Sequence, residues 1–218
     1  MLFSEKTKLN RIMPKAKFMK LAGLSTNVRN ELQNNVERLI LANVLNKSTT
    51  NFAKGKEVEE IDVFEFLLKT KEVSNALIKE IDSSIPKHIL FVFKCENKVQ
   101  LAVSYKEKTA TENRYKVIKT YKSEWLNADE VNLEIKGLDL DAVYNSFITQ
   151  IANGQVETDE TTDIKSAIEK SINIEKLQKK IETLKSKIRK EPQFNKQLIL
   201  KKELKQLQQE LDRGIVHG

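Results

Sequence analysis

The sequence predicts an α/β (α+β) fold: a mostly antiparallel sheet flanked by helices, carrying a C-terminal antiparallel helical hairpin of coiled-coil type. Three observations predict it. First, HILFVFKC, VQLAVSYKEK and RYKVIKTYKSEW follow one another across short polar breaks; each is rich in β-branched and aromatic residues, the pattern of a meander. Second, the segments before and after these strands return to helical spacing. Third, Ile174, Leu177, Ile181, Leu184 and Ile188, then Leu200, Leu204, Leu207 and Leu211, are spaced alternately three and four apart. That is a heptad seam on each of two helices.

In chain order, STNVRNELQNNVERLILANVL offers Ser25 or Thr26 as N-cap and sets Val28, Leu32, Val36, Leu39, Ile40 and Val44 on one face. A helix is expected over about 27–45. Lys47 to Asn51 form a polar loop. VEEIDVFEFLL reads as a strand buried on most of both sides. KEVSNALIKEIDSSI is helical through Val73, Ala76, Leu77 and Ile81, and ends before Pro86. After the meander and Trp125, VNLEI is a candidate short fifth strand. LDLDAVYNSFITQI then forms a helix with Leu140, Val143, Tyr144, Phe147 and Ile151 inward.

NGQVETDETTD lacks apolar periodicity, which sets a boundary between a domain over 1–155 and a hairpin over 156–218. Pro192 removes an N–H and disfavours helix at Glu191, so the chain is expected to double back there. Each seam is too narrow to be stable alone, and folding one helix on the other buries both. The domain's own core, or a second copy of the chain in a homodimer, is the competing cover for these stripes.

One cysteine, Cys95, cannot form an internal disulfide or a thiolate cluster, which suits a cytoplasmic chain. The charged opening residues do not make a signal peptide, and no stretch approaches a membrane span. Charge is uneven. Residues 1–50 hold nine Lys/Arg against three Asp/Glu, residues 163–218 hold fourteen against eight, and the middle holds fifteen against twenty. Basic ends suit DNA phosphates or an acidic protein surface. Lys6, Lys8, Arg11, Lys15, Lys17 and Lys20 are the candidate DNA contacts. Lys185, Arg189, Lys190, Phe194 and Lys196, around the hairpin turn, are the candidate partner contacts.

Catalytic signatures are few. Neither GxxxxGK nor GxGxxG occurs, which argues against P-loop and Rossmann chemistry, and no cofactor is expected. His88 and His217 have no companions at metal-ligand spacing. Cys95 suits a small core hydrophobe, and Tyr121 and Trp125 suit packing better than base stacking. A metal-dependent nuclease would need a Glu-x-Lys beside an upstream acid. Glu96-Asn97-Lys98 falls in a turn; Glu134-Ile135-Lys136, with Asp62 or Asp129, is the better match. No catalytic residue and no metal site is expected otherwise.

The segments RIMPKAKF, LNKSTTNF, EVEEIDVFEF, IDSSIPKHILFVF, YKSEW, LDLDAVY and IRKEPQFNKQLILKKELKQL, in that order, resemble the bacterial family of domain of unknown function 4391. Members are generally encoded beside a DNA methyltransferase and a helicase resembling type III restriction-modification or phage-defence operons. The resemblance implies a non-catalytic accessory subunit, a scaffold or regulator that bridges DNA and a helicase/ATPase or methyltransferase partner. The rival expectations are a divergent nuclease and a free-standing DNA-binding module.

Overall fold

In a computed structural model, residues 3–110, 115–156 and 163–216 are described. The chain divides into two compact units, Met1–Gly154 and Gln155–Gly218.

The first unit opens with a 3₁₀ turn, Glu5–Thr7, followed by β1 (Lys8–Ile12), α1 (Lys15–Ala22), α2 (Thr26–Asn35) and β2 (Val36–Leu45). It continues through β3 (Ile61–Leu68), α3 (Asn75–Ser84), β4 (His88–Cys95), β5 (Lys98–Lys108), β6 (Tyr115–Lys122), β7 (Leu126–Asn127) and α4 (Leu140–Ala152). The seven-stranded sheet has the order β1-β2-β3-β4-β5-β6, with β7 also on β5. Among the described strands only β3 and β4 pair in parallel, joined by α3 as the crossover.

One face of the sheet packs against α1, α2 and α3. Phe64, Phe66, Phe91 and Phe93 meet Phe18, Leu32, Leu77 and Ile81 there, with Phe66 centred 5.1 Å from Phe93. Strand alternation sends Val63, Leu90 and Val92 to the opposite face, where α4 buries Val143, Phe147, Ile148 and Ile151.

The helix expected over 27–45 is corrected at its midpoint. It stops at Asn35, and Val36–Leu45 is a strand paired with β3. Register irregularities between Val36 and Arg38 and between Leu41 and Asn43 break the strand's alternation. Its buried residues, Val36, Leu39, Ala42 and Leu45, therefore recur every third position. Bulged strands mimic a helical period in this way. The switch is held locally: Lys15 Nζ donates to the carbonyls of Val36 at 2.6 Å and Gln33 at 3.2 Å, satisfying acceptors that a helix end leaves open. Asn35 Nδ2 donates to Glu72 O at 2.6 Å.

VNLEI is not a strand. Gln150 of α4 accepts from Glu134 N at 2.9 Å and donates to Glu134 O at 2.8 Å, taking the place of a neighbouring strand's backbone. The short additional strand is β7 instead.

In the second unit, α5 (Ile164–Lys190) and α6 (Phe194–Val216) form a packed helical pair. Asp163 caps α5 by accepting from Lys165 N at 2.7 Å and Ser166 N at 3.1 Å. Glu191 has left the helical region at ψ 116, as a residue before proline must. Ile181 and Leu184 are buried in the seam, while Leu200, Leu204, Leu207 and Leu211 are half-buried.

Candidate functional site

Polar groups converge where β3 and β4 begin, β5 ends and α3 delivers its last turn. Lys106 of β5 and Asp82 of α3 form an ion pair of 2.7 Å, both side chains fully buried. The ammonium also donates to the carbonyls of Asp82 and Lys87 and lies 4.9 Å from the Tyr115 ring centre. Its three N–H groups are thereby used, which a buried cation requires.

The β4–β5 ladder stops at Leu90 and Val103, although both strands continue. Tyr144 of α4 reaches the backbone just beyond this point and donates to Ser104 O at 2.8 Å. His88 packs edge-on against Tyr144 at 4.7 Å and Tyr115 at 5.3 Å. Burial, reinforced by the Lys106 charge, lowers its pKa to about 3, so the ring is neutral at pH 7.

Asp62, at the start of β3, is buried with Oδ1 unpartnered. Burial and the neighbouring Glu60 raise its pKa to about 6. Burial also pushes the Asp82 carboxyl up, opposed by Lys106 and then by the Ser104 hydroxyl. Asp62, Asp82, His88, Lys106 and Tyr144 are all buried, which suits specifying the fold more than admitting a substrate. Outside it, Asp141 accepts from the backbone N–H groups of Lys56 at 2.7 Å, Glu57 at 3.1 Å and Val58 at 2.7 Å. A Cβ on Gly55 would sit 2.1 Å from Asp141 Oδ1, so glycine is required there. A half-buried pair, Lys87–Glu60, and an exposed one, Lys54–Glu59, both 2.9 Å, complete a charge-compensated rim.

Sequence reasoning passed over this network. Lys106 lies in the charged YKEK end of its strand, where a lysine is ordinarily solvated. The available signal was Asp82, which shares the helical face of Leu77, Ile78 and Ile81 and so occupies a core position.

The nominated cations fare differently from one another. Lys6, Lys8, Arg11, Lys17 and Lys20 are exposed, whereas half-buried Lys15 caps α2. Lys8 pairs with Glu5 at 3.4 Å. Residues 6–30 contain no acidic residue, so Arg11, Lys17 and Lys20 have no acid nearby in sequence, whereas Lys6 directly follows Glu5. In the second unit, Lys185 pairs with Glu182 at 2.7 Å. Arg189 and Lys190 are exposed in the last turn of α5, where cations complement the helix dipole. Phe194 is 68% exposed and Lys196 is exposed.

The nuclease candidates do not assemble. Glu134 and Lys136 pair with each other on an irregular segment that Gln150 ties to α4. Asp62 alternates with Phe64 and Phe66 onto the face that α1, α2 and α3 cover. Asp129 is an exposed turn residue. Among the described residues, no three His, Cys, Asp or Glu are grouped as metal ligands. Cys95 is a buried core residue, Tyr121 is buried, and Trp125 packs half-buried on the core. His217 lies outside the described residues. No helix among the described residues is long and apolar enough to cross a membrane.

These features define an α/β sheet protein with a closed polar network and an appended helical pair. The family model described as "Domain of unknown function (DUF4391)" matches residues 3–211, and the chain belongs to that family. No curated protein and no solved structure matches it.

Proposed function

We propose that the chain is a non-catalytic accessory subunit of a bacterial DNA-targeting defence or restriction-modification complex. In this reading the β1–α1 corner approaches DNA phosphates, and the helical pair engages a helicase or methyltransferase subunit. The observation that carries the reading is the acid-free stretch from residue 6 to 30, in which Lys6, Arg11, Lys17 and Lys20 are exposed and form no ion pair among the described residues. Unpaired cations of this kind favour polyanions through counterion release. The titratable groups with large shifts, Asp62, Asp82, His88 and Tyr144, are buried and offer a substrate no approach. The operon context implied by the family resemblance supplies the choice of partner.

The test is a salt titration of duplex-DNA binding, with the chain alone and co-expressed with the products of its neighbouring genes. The isolated chain should bind weakly, with Kd no tighter than about 1 μM and a log–log salt slope near 0.9 per phosphate contact. Reversing Arg11, Lys17 and Lys20 to Glu should lower both affinity and slope. Lys15→Glu is a poor probe, because it uncaps α2. Absence of DNA binding in both states, together with no association with the neighbouring products, overturns the proposal. DNA binding without any association leaves a free-standing DNA-binding module.

A further inference from the structure

We infer that the turn end of the helical pair is a docking element for a protein surface with an acidic rim around an apolar cleft. The inference rests on reading the second unit as the partner-binding part, and it names the chemistry of that partner.

The charge of this unit is not spread along it. Residues 180–205, on either side of the turn, hold nine Lys/Arg against three Glu. Residues 163–179 and 206–216 together hold five against five. All of the net charge of +6 therefore sits at the turn end. Within 180–205, Lys185 is the only cation in an ion pair among the described residues.

The same end leaves large apolar side chains uncovered. Phe194 is 68% exposed, Leu198 49% and Ile199 68%, at the start of α6. They are not seam residues, since Leu200, Leu204, Leu207 and Leu211 form the seam. Phe194 and Leu198 are one turn apart on the flank, and Lys201, Lys202 and Lys205 continue it by steps of three or four. An aromatic and an aliphatic anchor followed by a cationic strip matches an apolar pocket bordered by carboxylates.

Other occupants fit less well. A second copy would bring +6 against +6, so like charges oppose self-association. DNA phosphates would use the lysines and leave Phe194, Leu198 and Ile199 in water. An in-plane membrane helix needs an apolar face sustained along its length, whereas here the face turns to lysine after two turns.

The test uses the full chain and a synthetic helical peptide with a Leu/Phe stripe bordered by Glu. The controls are the same peptide with Lys in place of Glu, duplex DNA, and phosphatidylserine vesicles. The Glu-bordered peptide should bind and the Lys-bordered one should not. Phe194→Ser with Leu198→Ser should weaken binding about tenfold or more, and so should reversal of Lys201, Lys202 and Lys205 to Glu. Unchanged circular dichroism of both variants keeps the result about binding. The inference is overturned if the Glu-bordered peptide fails to bind at about 1 mM, or if the serine pair chiefly weakens DNA binding, vesicle binding or dimerisation. Failure of the peptide with retained assembly on the neighbouring products strikes this inference alone. Peptide binding without DNA binding or assembly strikes the accessory reading alone.

Discussion

The sheet end and the helix turn invert the usual placement of residue types. At the end of β5 a lysine and an aspartate are fully buried against each other. At the turn between α5 and α6, Phe194 and Ile199 are each 68% exposed. Burial of charge is tolerated only where an opposite charge and hydrogen bonds compensate it. Exposure of large apolar groups costs little in a folded chain and leaves surface for a partner. The first region thus specifies the fold, and the second is available for binding. Substitutions should separate them accordingly.

The largest effect is expected from Lys106→Ala, which leaves Asp82 buried without its counter-charge. A loss of about 3–5 kcal/mol in urea unfolding is expected. Replacing Lys106 by Met and Asp82 by Leu together should recover most of it. A double variant no more stable than Lys106→Ala would show that the pair contributes more than mutual compensation.

Acid stability sharpens the contrast next. The Asp62 pKa is raised from its ordinary 3.8 to about 6. The folded chain therefore holds this proton more tightly than the unfolded one, and its contribution falls as pH rises through about 4 to 6. His88 is lowered from 6.5 to about 3, so its contribution is lost as pH falls through that window. The two oppose each other where they overlap. Asp62→Asn should make stability rise more steeply with pH, by an amount on the order of 2–3 kcal/mol across the window. His88→Gln should do the reverse. Denaturant midpoints at successive pH values measure both, and parallel profiles for wild type and Asp62→Asn would refute the assignment.

Asp141→Ala removes the acceptor for three backbone N–H groups in the 56–58 loop. It should cost about 1–2 kcal/mol and speed hydrogen exchange at those amides. The smallest effect is expected at the other region: Phe194→Ser and Leu198→Ser should each change stability by less than about 0.5 kcal/mol. A larger loss would mean that these side chains support the helical pair.

Much of this fold was legible from local pattern. The meander strands, α3, α4 and the seam of α5 and α6 each carry a period or composition that a window of about a dozen residues reveals. Pro192 told where the long helical stretch ends, since its ring acts on the residues beside it. Of the sites, the exposed cations and the exposed Phe194 could be named from sequence, because exposure is the default for charge and for a residue off the seam.

What only the tertiary structure decided depended on residues distant in the chain. Val36–Leu45 is a strand because β3 is there to pair with it, and its two irregularities hide the strand period. Lys15 is withdrawn from the surface because the end of α2 presents two open carbonyls to it. Lys106 is buried because α3 brings Asp82, twenty-four residues earlier in sequence, to its ammonium. Local sequence determines which backbone conformations are favourable; the free energy of a buried charge or a paired strand belongs to contacts that exist only once the chain has folded.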